Sequence, residues 1–257
     1  MSAHSSTNFN DSHFLIALRW RCGLPVIPSS TVTCCHQLIA KPHKPCGLPL
    51  DRLGNHSVIC NVGGGPTHFL HNPIADLCCK FLRDAACDAR REVSVPEFTR
   101  IKHKVGAPPA DDLEEGIVDV LGWHAQFGEF LLDVTIRHPN AKAVADRAAT
   151  ENGHAAKVGE THKHDRYKPS GGRFIVPLAI ETYGRIGDEF LDWLMTLSSA
   201  ARARDRSAGL AGVRHLSKWR FSLSTSLYKG IAKIIEDSFA LHDGLGDAPF
   251  PSSSLVT

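Results

Sequence analysis

The sequence predicts a mixed α/β domain of α+β layout, with three or more central strands flanked by helices and a small Cys/His-rich knuckle ahead of them. Three observations lead there. Apolar runs of strand length, bounded by Gly or Pro, fall at 116–121, 129–136 and 173–180. Segments with apolar residues at three- and four-residue intervals alternate with them. Residues 34–60 are rich in Cys, His, Pro and Gly and show neither period. The chain has 257 residues, 15 His and 8 Cys against 2 Met and 3 Tyr, and a formal charge of +2. Such a length holds one large domain or two small ones. Such a charge excludes a chain that coats polyanions through uniform basicity.

In order along the chain, 14–21 is a short apolar run that Gly23, Pro25 and Pro28 break. Gly63, Gly64, Gly65 and Pro66 read as a linker. Ile74, Leu77, Cys78, Phe81 and Leu82 then make 72–86 an amphipathic helix, with Asn72 as its cap and Pro73 in the first turn. A strand over 91–98 and a basic loop over 99–109 precede the strands 116–121 and 129–136, which Pro139 closes. Residues 141–168 read as Ala-rich helix with a break at Asn152–Gly153. The strand 173–180 and a helix over 188–201, with Phe190, Leu191, Leu194 and Leu197 on one face, complete the pattern. The expected division is a lead-in segment 1–33, a knuckle 34–62, a main domain 63–201, a basic helical segment 202–242 and a disordered tail 243–257. No apolar stretch approaches the roughly 20 residues of a membrane span. The start of the chain is polar, so a soluble, non-secreted protein with reduced thiols is expected.

Cys46, His56 and Cys60 are spaced C-x9-H-x3-C. Thiolate and imidazole are the ligands a structural zinc prefers, and a His and a Cys four apart reach one ion from a single turn. Cys34, Cys35 or His43 could supply the fourth ligand. Cys35 and His43 enter the ligand set, since His43-x2-Cys46 is itself a metal-type spacing.

Asp119 and Asp133 each sit inside an apolar strand, where a carboxylate is costly unless paired or bound to a cation. A hairpin with its turn centred on Gln126 sets them opposite each other on one face. A divalent cation held by oxygen ligands is the usual remedy for two such charges. Glu181 follows the third strand and is expected at the same end of the sheet. Glu160, Lys163 and Tyr167 share one helix face. A Lys beside metal-bound carboxylates orients an attacking water or stabilises developing charge. Between Arg202 and Lys233 there are eight basic residues and one acidic one. Arg202, Arg204, Arg206, Arg214, Lys218 and Arg220, interleaved with Trp219, Phe221 and Tyr228, suit phosphate contact with some base stacking. Lys102 and Lys104 form a second basic loop.

Together these residues resemble a known arrangement. Asp51, Gly54, His56 and Cys60, then the three glycines, then His71-Asn72 opening a helix, are similar to the downstream end of polyproteins of retrotransposons that lack long terminal repeats. There a zinc knuckle leads into a restriction-enzyme-like endonuclease. A Glu strand at Glu92 or Glu97, the Asp strand at Asp119, Leu-Asp-Val-Thr at Asp133, the E-x2-K-x3-Y pattern at Glu160, Lys163 and Tyr167, and Pro-Leu-Ala-Ile-Glu181 continue the resemblance over about 14–200. It implies a restriction-endonuclease-like PD-(D/E)xK core that nicks DNA by phosphodiester hydrolysis. Asp119 and Asp133 would hold Mg²⁺, Lys163 would take the lysine position, and Glu181 or Glu97 would assist; His71 and Tyr167 are supporting residues. It also implies DNA, and element RNA, as partners, a nuclear location, and no membrane or small-molecule cofactor. The length leaves no room for a polymerase. Asn55, Leu70 and Val118 stand where the family carries Asp, Arg and Pro. The alternative expectation is therefore a nucleic-acid-binding remnant that has lost the chemistry.

Overall fold

The computed structural model describes residues 9–27, 33–34, 37–38, 41–60, 62, 65–101, 113–169, 171–210 and 212–239. In chain order the elements are α1 (Asp11–Arg21), β1 (Gln37–Leu38), β2 (Lys41–Pro45), α2 (Asn55–Ile59), a π-helical turn (Pro66–His71), α3 (Asn72–Asp84) and β3 (Asp88–Ser94). A 3-10 turn (Pro96–Phe98), β4 (Arg100–Ile101), β5 (Leu113–Glu114), β6 (Ile117–His124), β7 (Gly128–Arg137) and α4 (Ala145–Ala148) follow. The chain then forms α5 (His154–Arg166), β8 (Ile175–Glu181), α6 (Asp188–Ser207) and α7 (His215–Phe239). It divides into two units, Met1–Leu70 with Leu227–Thr257, and His71–Ser226.

The second unit is built on a four-stranded mixed sheet in the order β3-β6-β7-β8. β3, β6 and β7 are antiparallel, and β8 runs parallel to β7. The β6–β7 register pairs Val120 with Leu132 and His124 with Gly128, which centres the turn on Gln126 as the sequence predicts. Side chains alternate along β7. Leu132 and Val134 join α3, α6 and the start of α7 in one core with Phe81, Leu82, Phe190, Leu194 and Trp219. Asp133 and Thr135 face α5 on the other side. A mixed α+β domain whose sheet is flanked by helices is the result. Pro177 lies in β8, an edge strand, where a missing N–H costs least. On the other edge, β3 carries Glu92 at a φ of 51°, a left-handed conformation that interrupts the strand.

The first unit holds α1, capped by Asn10, whose side chain accepts from the His13 N–H at 2.7 Å. Arg21 Nη1 donates to Tyr228 Oη at 2.7 Å, and Ser57 and Ser238 hydroxyls meet at 2.8 Å with both side chains buried. The small sheet β1-β2 belongs to this unit as well. Among the described residues no helix is long and apolar enough to cross a membrane.

Four elements differ from their sequence-based expectation. Asn72 does not cap α3, because the π-helical turn runs straight into it and His71 takes the cap position in helical conformation. The strand expected over 91–98 begins earlier, at Asp88, and ends at Ser94, since Pro96 starts a 3-10 turn. α6 passes without a break through 201, where a domain boundary was expected, and continues to Ser207. Trp219 and Tyr228, read as stacking aromatics, are buried, and Phe221 alone of the three is exposed. Gly63, Gly64, the loop with Lys102 and Lys104, and the tail 243–257 lie outside the described residues.

Candidate functional site

Two clusters of chemically capable side chains form, one in each unit. In the first, Asp51 organises the loop that presents His56. Its Oδ1 accepts from the Leu53 and Asn55 N–H groups at 3.1 Å each, and its Oδ2 accepts from the His56 N–H at 2.7 Å. A carboxylate at the start of a short helix satisfies donors that have no partner within the helix. Gly54, at a φ of 75°, makes the turn before α2, and a Cβ there would lie 2.8 Å from Val26 Cγ2. Only glycine fits both demands. α2 then carries His56, and Cys60 ends it. On the facing loop the Cys34 N–H donates to Leu48 O at 2.7 Å and its carbonyl accepts from Gly47 N–H at 2.9 Å, which brings Cys34 beside Cys46.

The ligand atoms of Cys34, Cys46, His56 and Cys60 all lie within 4.8 Å of one another. Cys34 Sγ is 3.8 Å from Cys60 Sγ, and Cys46 Sγ is 3.4 Å from His56 Nε2. Ligands about 2.3 Å (S) and about 2.0 Å (N) from a tetrahedral zinc stand roughly 3.8 and 3.5 Å apart. The sulfur separation is also far beyond a disulfide's roughly 2.05 Å. This Cys₃His cluster could bind zinc. Of the three alternatives for the fourth ligand, Cys34 is the one in place. Cys35 lies outside the described residues, and at His43 only the backbone is described.

In the second unit the β6–β7 ladder stops at Val120 and Leu132 while β7 runs on beside β8. The strands part there, and the Val134 N–H loses its cross-strand carbonyl. Asp119 Oδ2 accepts it instead, at 2.6 Å. The same oxygen lies 2.9 Å from His71 Nε2, while His71 Nδ1 meets Asn72 Oδ1 at 3.1 Å. With the amide oriented this way, both imidazole nitrogens face acceptors, which favours the imidazolium. The Asp133 and Asp119 carboxyls interact directly, each shifting the other's proton affinity, and Lys163 Nζ of α5 forms an ion pair with Asp133 Oδ2. His71, Asp119, Asp133 and Lys163 therefore form one continuous polar chain from the residue that precedes α3 across β6 and β7 to α5.

Charge is distributed unevenly along it. Burial pushes the Asp133 carboxyl up to about 7, with Lys163 pulling down and Asp119 pushing up. Burial also raises Asp119, but the hydrogen bond and charge of His71, with the bonds from Asp133 and Val134, leave it below the usual carboxylate value. For His71 burial is outweighed by the hydrogen bond and charge of Asp119, so its value rises. The pair as a whole thus favours holding a proton, with Asp133 the raised and Asp119 the lowered member. A raised carboxyl stabilises the fold below its unfolded value near 4 and loses that contribution as pH rises towards 7. In metal-free protein, Asp133→Asn is expected to remove a fall in stability between about pH 4 and 7, read by urea unfolding across that range. An unchanged pH profile would contradict the assignment of the proton.

The other expected residues are placed elsewhere. Glu160 shares the inward face of α5, but its Oε1 accepts from the Glu189 N–H at 3.1 Å and so caps α6. Glu181 Oε1 accepts from the Ala156 N–H at 3.1 Å in the first turn of α5. It pairs in register with Arg137, four residues or about 13 Å beyond Asp133 along β7. Tyr167 is buried against Phe98 and donates its hydroxyl to Ile117 O at 2.8 Å, and burial drives its phenol well up. Glu97 accepts from Arg173 at 3.2 Å on the surface. All four are structural partners, not members of the carboxylate cluster.

No family model matches this chain, and no curated protein matches it.

The basic segment is divided in its behaviour. Arg202, Arg204, Arg206, Arg214, Lys218 and Arg220 are all exposed. Arg204 is neutralised by Asp205, and Arg202 donates to Ser199 Oγ at 3.3 Å. Among the described residues Arg206, Arg214, Lys218 and Arg220 have no acidic partner.

Proposed function

We propose that the second unit is a restriction-endonuclease-like domain that nicks DNA by metal-dependent phosphodiester hydrolysis, of the kind found at the downstream end of retrotransposons lacking long terminal repeats. The reading is carried by one observation. Asp119, Asp133 and Lys163, brought from β6, β7 and α5, join through direct polar contacts at the point where the two strands part. Two carboxylates sharing a proton beside an ammonium group fit a hard divalent cation, which takes oxygen ligands and replaces the proton. Mg²⁺ held by Asp119 and Asp133 would polarise a phosphoryl oxygen and lower the pKa of a bound water. Lys163 would orient that water or stabilise charge developing on the phosphate. His71 fixes the Asp119 carboxylate from the opposite side. The exposed, unpaired Arg206, Arg214, Lys218 and Arg220, with Phe221, would grip the nucleic-acid backbone. The Cys/His cluster would supply a separate nucleic-acid-binding knuckle, and a DNA substrate would place the chain in the nucleus.

Relaxation of supercoiled plasmid in Mg²⁺ tests this reading. Asp133→Ala is expected to abolish nicking, and Lys163→Met to slow it by about 10²–10³, with DNA binding kept in both. An Asp133→Ala variant that nicks like the parent would refute the site. A parent chain that binds DNA but never nicks it is the result expected of the remnant that has lost its chemistry.

A further inference from the structure

Arg137 is not used by the carboxylate site, yet its surroundings are unusual for a cation. It ends β7, on the same face as Asp133. Its Nε is buried and has no hydrogen-bond acceptor. Its Nη2 lies 3.0 Å from His162 Nδ1, which carries no negative charge to balance it. Among the described residues no carboxylate lies within ion-pair distance of the guanidinium. Glu181, its register neighbour, is committed to the start of α5. A half-buried arginine normally has a counter-charge, because removing a cation from water without one is costly.

The group is also held rigidly. A Cβ on Gly159 of α5 would stand 3.0 Å from Arg137 Cγ and 3.2 Å from its Nε, so the helix lies directly on the arginine stem. By accepting from Nη2, His162 Nδ1 leaves the imidazole proton on Nε2, a second donor at the exposed end of the pair. A fixed guanidinium fork and an adjacent N–H suit the oxygens of a tetrahedral anion.

We propose that Arg137 and His162 form a subsite for a phosphate group of a nucleic-acid strand, about 13 Å along β7 from Asp133. The strand as its source rests on the nuclease reading; the phosphate chemistry does not. An anion there would supply the counter-charge that no described residue provides. The strand would be anchored at a phosphate away from the one being cut, which fixes its direction across the carboxylate pair.

The test uses the full chain. The Arg137 Nε–H signal in ¹H–¹⁵N spectra, identified by its loss in Arg137→Lys, and the His162 ring signals are expected to shift with inorganic phosphate. They are expected to shift again, at lower concentration, with a short DNA duplex. Asp133→Ala should retain both shifts. In duplex binding, Arg137→Gln should reduce the slope of log affinity against log salt by about one, whereas a purely structural role would leave the slope unchanged. Signals unmoved by phosphate would overturn the subsite. Movement with free phosphate but not with duplex would overturn the strand as its source. A chain that shows every shift yet never nicks plasmid keeps the subsite and loses the nuclease reading.

Discussion

Cys60→Ser is expected to abolish zinc binding at the Cys₃His cluster and to unfold the first unit. Structural zinc in small Cys/His sites contributes about 10–16 kcal/mol of apparent binding energy. Whole domains are stable by only about 5–15 kcal/mol. Among the described residues, the loops that carry Cys34, Cys46, His56 and Cys60 hold only β1, β2 and the five-residue α2. An ion held there would therefore supply much of their order. Chelation with a strong zinc ligand should give the same loss of structure in the parent chain. Metal content by mass spectrometry, one zinc per chain falling to none, and far-ultraviolet circular dichroism read the two effects. A Cys60→Ser variant that retains metal and melts with the parent would remove the Cys₃His cluster from consideration.

Trp219→Ala is expected to lower stability by about 3–5 kcal/mol. That corresponds to a fall in melting temperature of roughly 6–20 °C for a domain of this size. Trp219 is 1% exposed, stacks on Phe81 with ring centroids 5.0 Å apart, and donates its indole N–H to Asp84 at 3.2 Å. Phe221, two residues on and 61% exposed, supports nothing in the core. Phe221→Ala should move stability by no more than about 0.5 kcal/mol. If it weakens DNA binding while Trp219→Ala acts only through unfolding, the two aromatics are separated into ligand contact and core. The reverse pattern would show that the helix start is read wrongly.

These aromatics illustrate which features were legible in the sequence. The β6–β7 register was legible because Gly122 and Gly128 bound the turn, and a period of two then fixes which residues oppose each other. From that alone Asp119 and Asp133 come together. Lys163 follows from helical spacing once α5 is placed on the Asp133 face. The roles of Glu160 and Glu181 were not legible. Each caps a helix contributed by a distant part of the chain, and nothing in local spacing says which helix start will lie above a given carboxylate. Cys34 could not be separated from Cys35 because adjacent cysteines offer nearly the same spacing to Cys46; only the fold, with its Thr33–Pro49 bridge, brings Cys34 to the cluster. Trp219 misled because basic and apolar residues alternate around α7, so composition suits a binding face and a core face equally.

The two edges of the four-stranded sheet have a consequence for how the protein behaves in concentrated solution. A bare strand edge invites another chain to dock by backbone hydrogen bonds, the first step towards fibrils. Here one edge is kinked by Glu92 and the other lacks a donor at Pro177. The strands that hold the carboxylate pair lie between these two, so the sheet is closed to lateral growth without being closed into a barrel.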